Sequence, residues 1–122
     1  SLNILLVDDA ELNLEMLKHV LERQNHNVDT AKDGIEAVAM AEHNAYDIIL
    51  MDCIMPNLDG FDATVQIRKS LTGNNVSTPI IAVTGRDDEE SIQKAYDKGM
   101  QDFIPKPVDQ KLLLEKLRRW AD

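Results

Sequence analysis

The sequence predicts an α/β domain built on an open, doubly wound sheet of five parallel strands. Three observations support this fold class. Short apolar runs, typical of strands covered on both faces, recur along the chain. Segments with the apolar spacing of amphipathic helices separate these runs. The chain has 122 residues, too few for a closed eight-stranded barrel of roughly 250 residues, so an open sheet with helices on both faces remains.

The strands are predicted from the apolar runs themselves. Strong runs occupy residues 2–7, 48–51 and 80–83, and each contains almost only Ile, Leu, Val, Met or Ala. Residues 28–31 and 102–104 form shorter and weaker runs, as edge or near-edge strands often do.

The helices are predicted from apolar residues that recur at helical spacing. In chain order the apolar residues that indicate these helices are Leu12, Met16, Leu17, Val20 and Leu21, on one face; Ile35, Val38 and Ala39; Phe61, Thr64, Val65 and Ile67, which are expected to face inward; Ile92, Ala95 and Tyr96; and Leu113, Leu117 and Trp120. The second helix should end near Asn44, and the third should run from about Gly60 to Ser70. We expect Gly99 to end the fourth helix and Asp109 to cap the fifth.

Composition narrows the class of function. Thirteen Lys and Arg residues against 22 Asp and Glu residues give a net charge of −9, which argues against direct binding to nucleic acid or to an anionic membrane surface. The single cysteine excludes an intramolecular disulfide, and no apolar stretch approaches the roughly 20 residues that span a bilayer. We therefore expect residues 1–122 to form one soluble acidic domain.

The chain opens without a basic, apolar leader and without an initiator Met. We therefore expect no signal peptide, a cytoplasmic location, and a chain that was processed or excised from a longer protein.

Polar side chains follow four of the five predicted strands. Asp8 and Asp9 follow the first strand, Asp52 the third and Thr84 the fourth, and Lys106 lies just past the fifth. Because the carboxyl ends of parallel strands share one edge, where ligands of such sheets bind, these side chains are expected to line one site.

Three carboxylates in one crevice repel each other, so the site takes up protons or binds a cation. Oxygen ligands that leave room for water suit Mg²⁺. A zinc site is not expected, because the sequence offers only scattered candidates, His19, His26, His43 and Cys53.

A bound Mg²⁺ would attract a phosphoryl group to the same edge. Lys106 could neutralise the phosphoryl oxygens and Thr84 could donate a hydrogen bond. One aspartate would then be free to act as the nucleophile and form an acyl phosphate.

Four segments carry a family resemblance: LLVDD (5–9), ILMDCIMPNLDG (49–60), IAVTG (81–85) and FIPKP (103–107). They resemble the receiver domains of two-component response regulators, and the similarity runs essentially end to end. The resemblance implies a flavodoxin-like, CheY-like (βα)5 fold with strand order 2-1-3-4-5, and a cis peptide between Lys106 and Pro107.

The resemblance also implies roles for the site residues. Asp52 would be phosphorylated, and Asp8, Asp9, Asp52 and the backbone carbonyl of Ile54 would hold Mg²⁺, with Mn²⁺ as an alternative ion. Thr84 would be the switch hydroxyl, and Lys106 would contact the phosphoryl group.

Three further positions would affect how such a receiver switches and how long it stays phosphorylated. Phe103 occupies the aromatic switch position of the family but has no hydroxyl, and a plain core role is the alternative. Ile54 and Arg86 occupy positions that affect the lifetime of the phosphoryl group. Because Ile54 cannot orient an attacking water, it favours a longer-lived phosphoaspartate.

The resemblance implies that a histidine kinase or a histidine phosphotransfer domain donates the phosphoryl group, and it allows a phosphorylation-dependent dimer. Asn13 and the segment 51–56 look more like receivers of hybrid sensor histidine kinases than like a stand-alone response regulator, which is the alternative. The isolated domain is then no enzyme beyond its self-catalysed phosphorylation and dephosphorylation, whereas the full-length protein could be a histidine kinase.

Other classes of protein fit less well. A haloacid dehalogenase-type phosphohydrolase needs a second Asp two residues after the nucleophile, where this chain has Ile54. A flavin carrier needs a Ser-, Thr- or Gly-rich phosphate loop after the first strand, where this chain has the acidic segment DDAE. A degenerate receiver that binds partners without phosphorylation is disfavoured, because all five site residues are present.

Overall fold

The computed structural model describes residues 1–85 and 88–121. Strands and helices alternate, and the predicted bounds agree with the observed ones to within two residues. The strands are β1 (Asn3–Val7), β2 (Asn27–Ala31), β3 (Ile48–Asp52), β4 (Ile80–Thr84) and β5 (Asp102–Pro105). The helices are α1 (Glu11–Glu22), α2 (Gly34–His43), α3 (Gly60–Arg68), α4 (Glu89–Lys98) and α5 (Gln110–Ala121).

The five strands form one parallel sheet in the order β2-β1-β3-β4-β5, which confirms the implied order. β1 pairs with β2 on one side and with β3 on the other. The strand order therefore reverses at β1, and a crevice between the carboxyl ends of β1 and β3 follows from this reversal.

The core consists of one apolar layer on each face of the sheet. Alternate residues of a strand point to opposite faces, so Leu5 and Val7 pack on the side of α2 and α3, whereas Ile4 and Leu6 pack on the side of α1 and α5. Every residue of β3 and β4 is buried, which explains why these two strands have nearly continuous apolar sequences.

Gly99 ends α4 and Asp109 precedes α5, as the sequence predicted. Gly99 ends α4 in the left-handed conformation, with φ of 108°, which costs glycine little because it has no Cβ. The Asp109 carboxylate accepts a hydrogen bond from the Lys111 amide at 2.9 Å at the start of α5. Asp59 caps α3 in the same way through the Asp62 amide.

The apolar face predicted for α1 is wrong in part. α1 buries Leu14, Leu17 and Leu21, whereas Leu12 and Met16 are 71% and 57% exposed. Since each residue advances about 100° around a helix, these two side chains lie on a different face from Leu14.

In α2 the small residues Gly34, Ala37 and Ala41 face the core, and Ile35 is 57% exposed. Tyr96 of α4 is also exposed, and only Ala95 is buried there. The predicted inward residues of α3 are confirmed for Phe61, Thr64 and Ile67. Among the described residues, no helix combines the length and the apolar character needed to cross a membrane.

A buried polar cluster joins β5 to α5. Asp102 is 7% exposed, and its carboxylate accepts hydrogen bonds from Lys116 Nζ at 2.8 Å and from Trp120 Nε1 at 2.8 Å. Burial opposes ionisation, but the bonds from Lys116, Trp120 and the Phe103 amide outweigh it and lower the pKa of Asp102. This cluster holds together both ends of the segment that contains Lys106.

We predict that Asp102→Ala lowers the free energy of unfolding at pH 7 by about 3 kcal/mol, because it leaves a partly buried ammonium and an indole N–H without their acceptor. Since the folded-state pKa lies below the unfolded value, the contribution of Asp102 is complete above about pH 4 and is lost as the pH falls further. Urea titrations followed by Trp120 fluorescence measure both effects. Asp47→Ala, which removes one exposed hydrogen bond to the Asn3 amide, is the control, and an equal loss in both variants would contradict the prediction.

Candidate functional site

The predicted site residues lie along the carboxyl edge of the sheet. Asp52 and Thr84 are the last residues of β3 and β4, and Asp8 directly follows β1. The carboxylate oxygens of Asp8, Asp9 and Asp52 lie within 4.8 Å of one another. Lys106, on the segment after β5, extends into the same cleft, so the four charged side chains form one cluster.

Lys106 links the two buried carboxylates of this cluster. Its Nζ lies 3.2 Å from Oδ2 of Asp8 and 3.2 Å from Oδ2 of Asp52. Burial alone would lower the pKa of Lys106, but the attraction of the two carboxylates outweighs burial and raises it. Lys106 therefore carries its charge throughout the neutral pH range.

Both carboxylate oxygens of Asp8 accept hydrogen bonds. Asp8 is 2% exposed, its Oδ1 accepts a hydrogen bond from the Ala10 amide at 2.8 Å, and its Oδ2 accepts one from Asn13 Nδ2 at 3.4 Å. The sequence reasoning did not identify these two donors as parts of the site. The sequence does offer a signal for these donors. Ala10 lies just before the first turn of α1 and Asn13 lies within it, and this turn directly follows the acidic pair.

Asp52 is a buried carboxylate with a raised pKa. It is 4% exposed, and its Oδ1 accepts a hydrogen bond from the Ile54 amide at 3.3 Å. Burial raises the pKa of Asp52 to about 6; the charge of Asp8 adds to this rise, and the charge of Lys106 opposes it. Asp52 is thus mostly ionised at pH 7 and more basic than an ordinary carboxylate, which favours it as a nucleophile.

The backbone around Asp52 leaves little room. The Gly60 amide donates to the Cys53 carbonyl at 2.9 Å, and a side chain at position 60 would collide with the main chain of Asp52. Only glycine therefore allows the start of α3 to approach the end of β3 so closely.

Thr84 is 5% exposed, and its carbonyl accepts a hydrogen bond from the Lys106 amide at 2.8 Å. The Thr84 side chain hydrogen-bonds to the Cys53 thiol, whose pKa burial raises to about 12. Cys53 is therefore a neutral, buried thiol and no redox-active thiolate.

The remaining predicted residues surround this cluster. Phe103 is half-buried in β5 and packs against the apolar layer that includes Ala95 and Met100. The Ile54 side chain is 53% exposed. The peptide between Lys106 and Pro107 is cis, as the resemblance implied. Arg86 lies outside the described residues.

The donor set of the cluster fits Mg²⁺. The three side chains that could coordinate an ion are all carboxylates, and a small, hard cation such as Mg²⁺ prefers such oxygen ligands. Three carboxylates and one ammonium leave two uncompensated negative charges, which one divalent ion would neutralise.

The chain is similar to known proteins along nearly its whole length. Residues 4–118 match the family model of the response regulator receiver domain. Protein PilH of Pseudomonas aeruginosa is 37% identical and is matched over 93% of both chains. Hybrid signal transduction histidine kinase B of Dictyostelium discoideum is 38% identical over 86% of this chain. The chain spans 6% of that kinase and 26% of response regulator PleD of Caulobacter vibrioides.

Solved structures show the same relationship. The receiver domain of a sensor histidine kinase from Pseudomonas aeruginosa, crystallised with a magnesium ion coordinated in its active site cleft, superposes with a TM-score of 0.91 at 37% identity and covers 99% of this chain and 98% of its own. Chemotaxis protein CheY4 of Vibrio cholerae superposes with a TM-score of 0.90 at 31% identity over 97% of both chains. The family predicted from the sequence is thereby confirmed: this chain belongs to the response regulator receiver domains.

Proposed function

We propose that this receiver accepts a phosphoryl group on Asp52 from a phosphohistidine of a histidine kinase or a histidine phosphotransfer protein. One observation carries this proposal: the Lys106 ammonium lies 3.2 Å from both Asp8 and Asp52, and Asp9 forms a three-carboxylate cluster with these two residues. This arrangement combines a basic nucleophile, a fixed cation and a site for a divalent ion in one cleft.

The residues that would hold Mg²⁺ are Asp8, Asp9, Asp52 and the backbone carbonyl of Ile54, with Mn²⁺ as an alternative ion. The bound ion would supply positive charge that neutralises oxygens of the phosphoryl group.

The protein side chains perform the transfer itself. A carboxylate oxygen of Asp52 attacks the phosphorus atom, the bond between phosphorus and the donor imidazole breaks, and its electron pair stays on the imidazole nitrogen, which takes up a proton. Lys106 neutralises a phosphoryl oxygen as the new bond forms. The product is an acyl phosphate on the domain itself, so the isolated domain undergoes a self-catalysed reaction and is no conventional enzyme.

Phosphorylation then acts on the elements around the site. The Thr84 hydroxyl, which is bonded to Cys53 in this structure, would turn to the phosphate as a hydrogen-bond donor. Phe103 packs on the same side of the sheet and would move into the space that Thr84 leaves. Such a movement biases a two-state equilibrium of α4, β5 and α5 and so changes the affinity for a partner or a second copy of the chain.

A groove beside the site supports a protein phosphodonor. It has a volume of about 630 Å³, it lies between α1 and the segment after β5, and its apolar wall consists of Met16, Leu17, Val20, Pro107 and Val108. Asp8 and Lys106 line it as well, so a donor seated there would present its phosphohistidine to Asp52. Leu12 and Met16 are exposed on α1, as expected of a surface that a histidine-bearing domain covers.

The finer context of the chain is part of the proposal. The similarity to receivers of histidine kinases and the position of Asn13 favour an origin in a hybrid histidine kinase that acts in the cytoplasm. PilH, which this chain matches over 93% of its length, represents the stand-alone alternative.

The role of Asp52 as the nucleophile can be tested with a small phosphodonor. Incubation with acetyl phosphate and Mg²⁺ should produce an acid-labile, hydroxylamine-sensitive phosphoryl group on the wild-type chain and none on Asp52→Asn, because the amide is no nucleophile. Asp47→Asn, at the opposite edge of the sheet, should be labelled like the wild type. Mass spectrometry measures the label, and its retention on Asp52→Asn would exclude Asp52 as the acceptor.

The uncompensated charge of the site without Mg²⁺ should affect the stability of the fold. Because burial raises the folded-state pKa of Asp52 to about 6, above its ordinary value near 4, ionisation of Asp52 destabilises the folded chain as the pH rises between these values. Asp52→Asn should therefore raise the free energy of unfolding without Mg²⁺ by about 2 kcal/mol at pH 7, and the gain should vanish below about pH 4. Urea titrations at both pH values test this, and a stability loss at pH 7 would contradict it.

A charge introduced on α1 tests the proposed donor surface. Met16→Glu should slow transfer from any phosphohistidine domain that phosphorylates the wild-type chain by roughly tenfold, about 1.4 kcal/mol, and leave the rate with acetyl phosphate unchanged. Ile35→Glu is the matched control, since Ile35 is also 57% exposed but does not line the groove. Equal slowing by both substitutions, measured by rapid-quench phosphotransfer, would exclude the groove as the donor surface.

A further inference from the structure

We propose that Asn57 and Asp33 are positioning residues of the magnesium site, because a latch between them fixes the loop that carries the Ile54 carbonyl. The latch consists of two hydrogen bonds between the β3–α3 loop (residues 53–59) and the start of α2. This inference rests on the proposed function, since it concerns the same ion.

The two bonds of the latch lie side by side. Asn57 Nδ2 donates to Asp33 Oδ2 at 2.9 Å, and the Gly34 amide donates to the Leu58 carbonyl at 3.0 Å. A side chain at position 34 would collide with the main chain of Leu58. The start of α2 therefore approaches the loop as closely as the backbone allows, and only glycine at position 34 permits it.

Asp33 divides its two carboxylate oxygens between two tasks. Oδ1 accepts a hydrogen bond from the Glu36 amide at 2.9 Å and so caps α2, which leaves Oδ2 for Asn57. The Glu36 amide and the Asn57 side chain both lower the pKa of Asp33. Asp33 therefore stays charged at neutral pH and remains a strong acceptor for the latch.

Asn57 has a backbone conformation that suits its residue type. Its φ is 70°, in the left-handed region that Asn and Asp tolerate better than other residues with a side chain. This conformation turns the loop so that its tip meets α2.

The latch completes the support of the loop. Near β3 the loop is fixed by the bond from the Ile54 amide to Asp52 Oδ1 and by the bond from the Gly60 amide to the Cys53 carbonyl. The latch fixes the tip, three residues beyond Ile54. With both parts held, the Ile54 carbonyl is ordered before the ion arrives, and binding does not have to order the loop.

The test uses a substitution for which electrostatics and the latch predict opposite results. Asn57→Asp keeps the size and the tolerance for positive φ, but it removes the donor and places a second carboxylate against Asp33. Added negative charge alone would tighten Mg²⁺ binding, whereas loss of the latch should weaken it roughly tenfold, as is common for residues that orient metal ligands. Titration calorimetry with Mg²⁺ gives the Kd, and line broadening of the amides of residues 52–54 by Mn²⁺ gives an independent readout.

Two further variants separate positioning from stability. Asn74→Ala removes a similar side-chain bond, from Asn74 Nδ2 to the Glu42 carbonyl at the other end of α2, and should leave the Kd unchanged at a comparable loss in thermal stability. The exchanged pair Asp33→Asn with Asn57→Asp can form the bond with donor and acceptor reversed, and it should restore the wild-type Kd.

The outcomes distinguish the latch from the site itself. Asp9→Asn must weaken Mg²⁺ binding if the proposed function is correct, and no binding by the wild-type chain would overturn both proposals. If Asp9→Asn behaves as expected but Asn57→Asp binds Mg²⁺ as tightly as the wild type or more tightly, the latch is excluded. Failure of the exchanged pair to recover the affinity would exclude it as well.

Discussion

The ammonium of Lys106 between two buried carboxylates is the interaction on which the rest of the site depends. Asp8 and Asp52 are almost inaccessible to water, and two charges so close in a medium of low polarity would strongly repel each other. Lys106 offsets this repulsion but leaves the cluster with excess negative charge, because Asp9 adds a third carboxylate. The folded chain thus keeps an unfavourable charge distribution that a bound divalent ion would relieve, and the proposed affinity for the ion would follow from the instability of the site without it.

The topology of the sheet brings the residues of this cluster together. β1 and β3 are neighbours although α1, β2 and α2 separate them in the sequence, so Asp8 and Asp52 meet without any distortion of the strands. The buried, mostly apolar strands and the two apolar layers supply stability that offsets the charge repulsion. Functional sites in general retain locally unfavourable arrangements, and the stability of the surrounding fold maintains them.

Sequence reasoning recovered the strands, the helices and the charged residues of the cluster because each depends on local pattern. Apolar runs mark β1, β3 and β4 directly, and the carboxyl ends of parallel strands must share an edge. The strand order was implied by the family resemblance, since the apolar pattern of a strand does not specify its neighbour. The inward face of α1 was misjudged because Leu12 and Met16 have the apolar spacing of core residues but lie on another face of the helix. The bond between Asn57 and Asp33 joins residues 24 apart in the sequence, and no local pattern signals such a contact.

The segment after β5 connects the chemistry of the site to its surroundings. Lys106 reaches from this segment to Asp52, Pro107 and Val108 line the groove beside α1, and Asp102 binds both Lys116 and Trp120 where α5 packs against the sheet. A phosphoryl group on Asp52 would attract Lys106 more strongly than the carboxylate does, because it carries more negative charge. Since the Lys106 amide is bonded to the Thr84 carbonyl, this attraction and any movement of Thr84 act on the same few residues. Phosphorylation of Asp52, as proposed, would therefore reach the groove beside α1 and helix α5 together. One covalent event could then weaken contact with the proposed donor and alter the surface offered to the next partner.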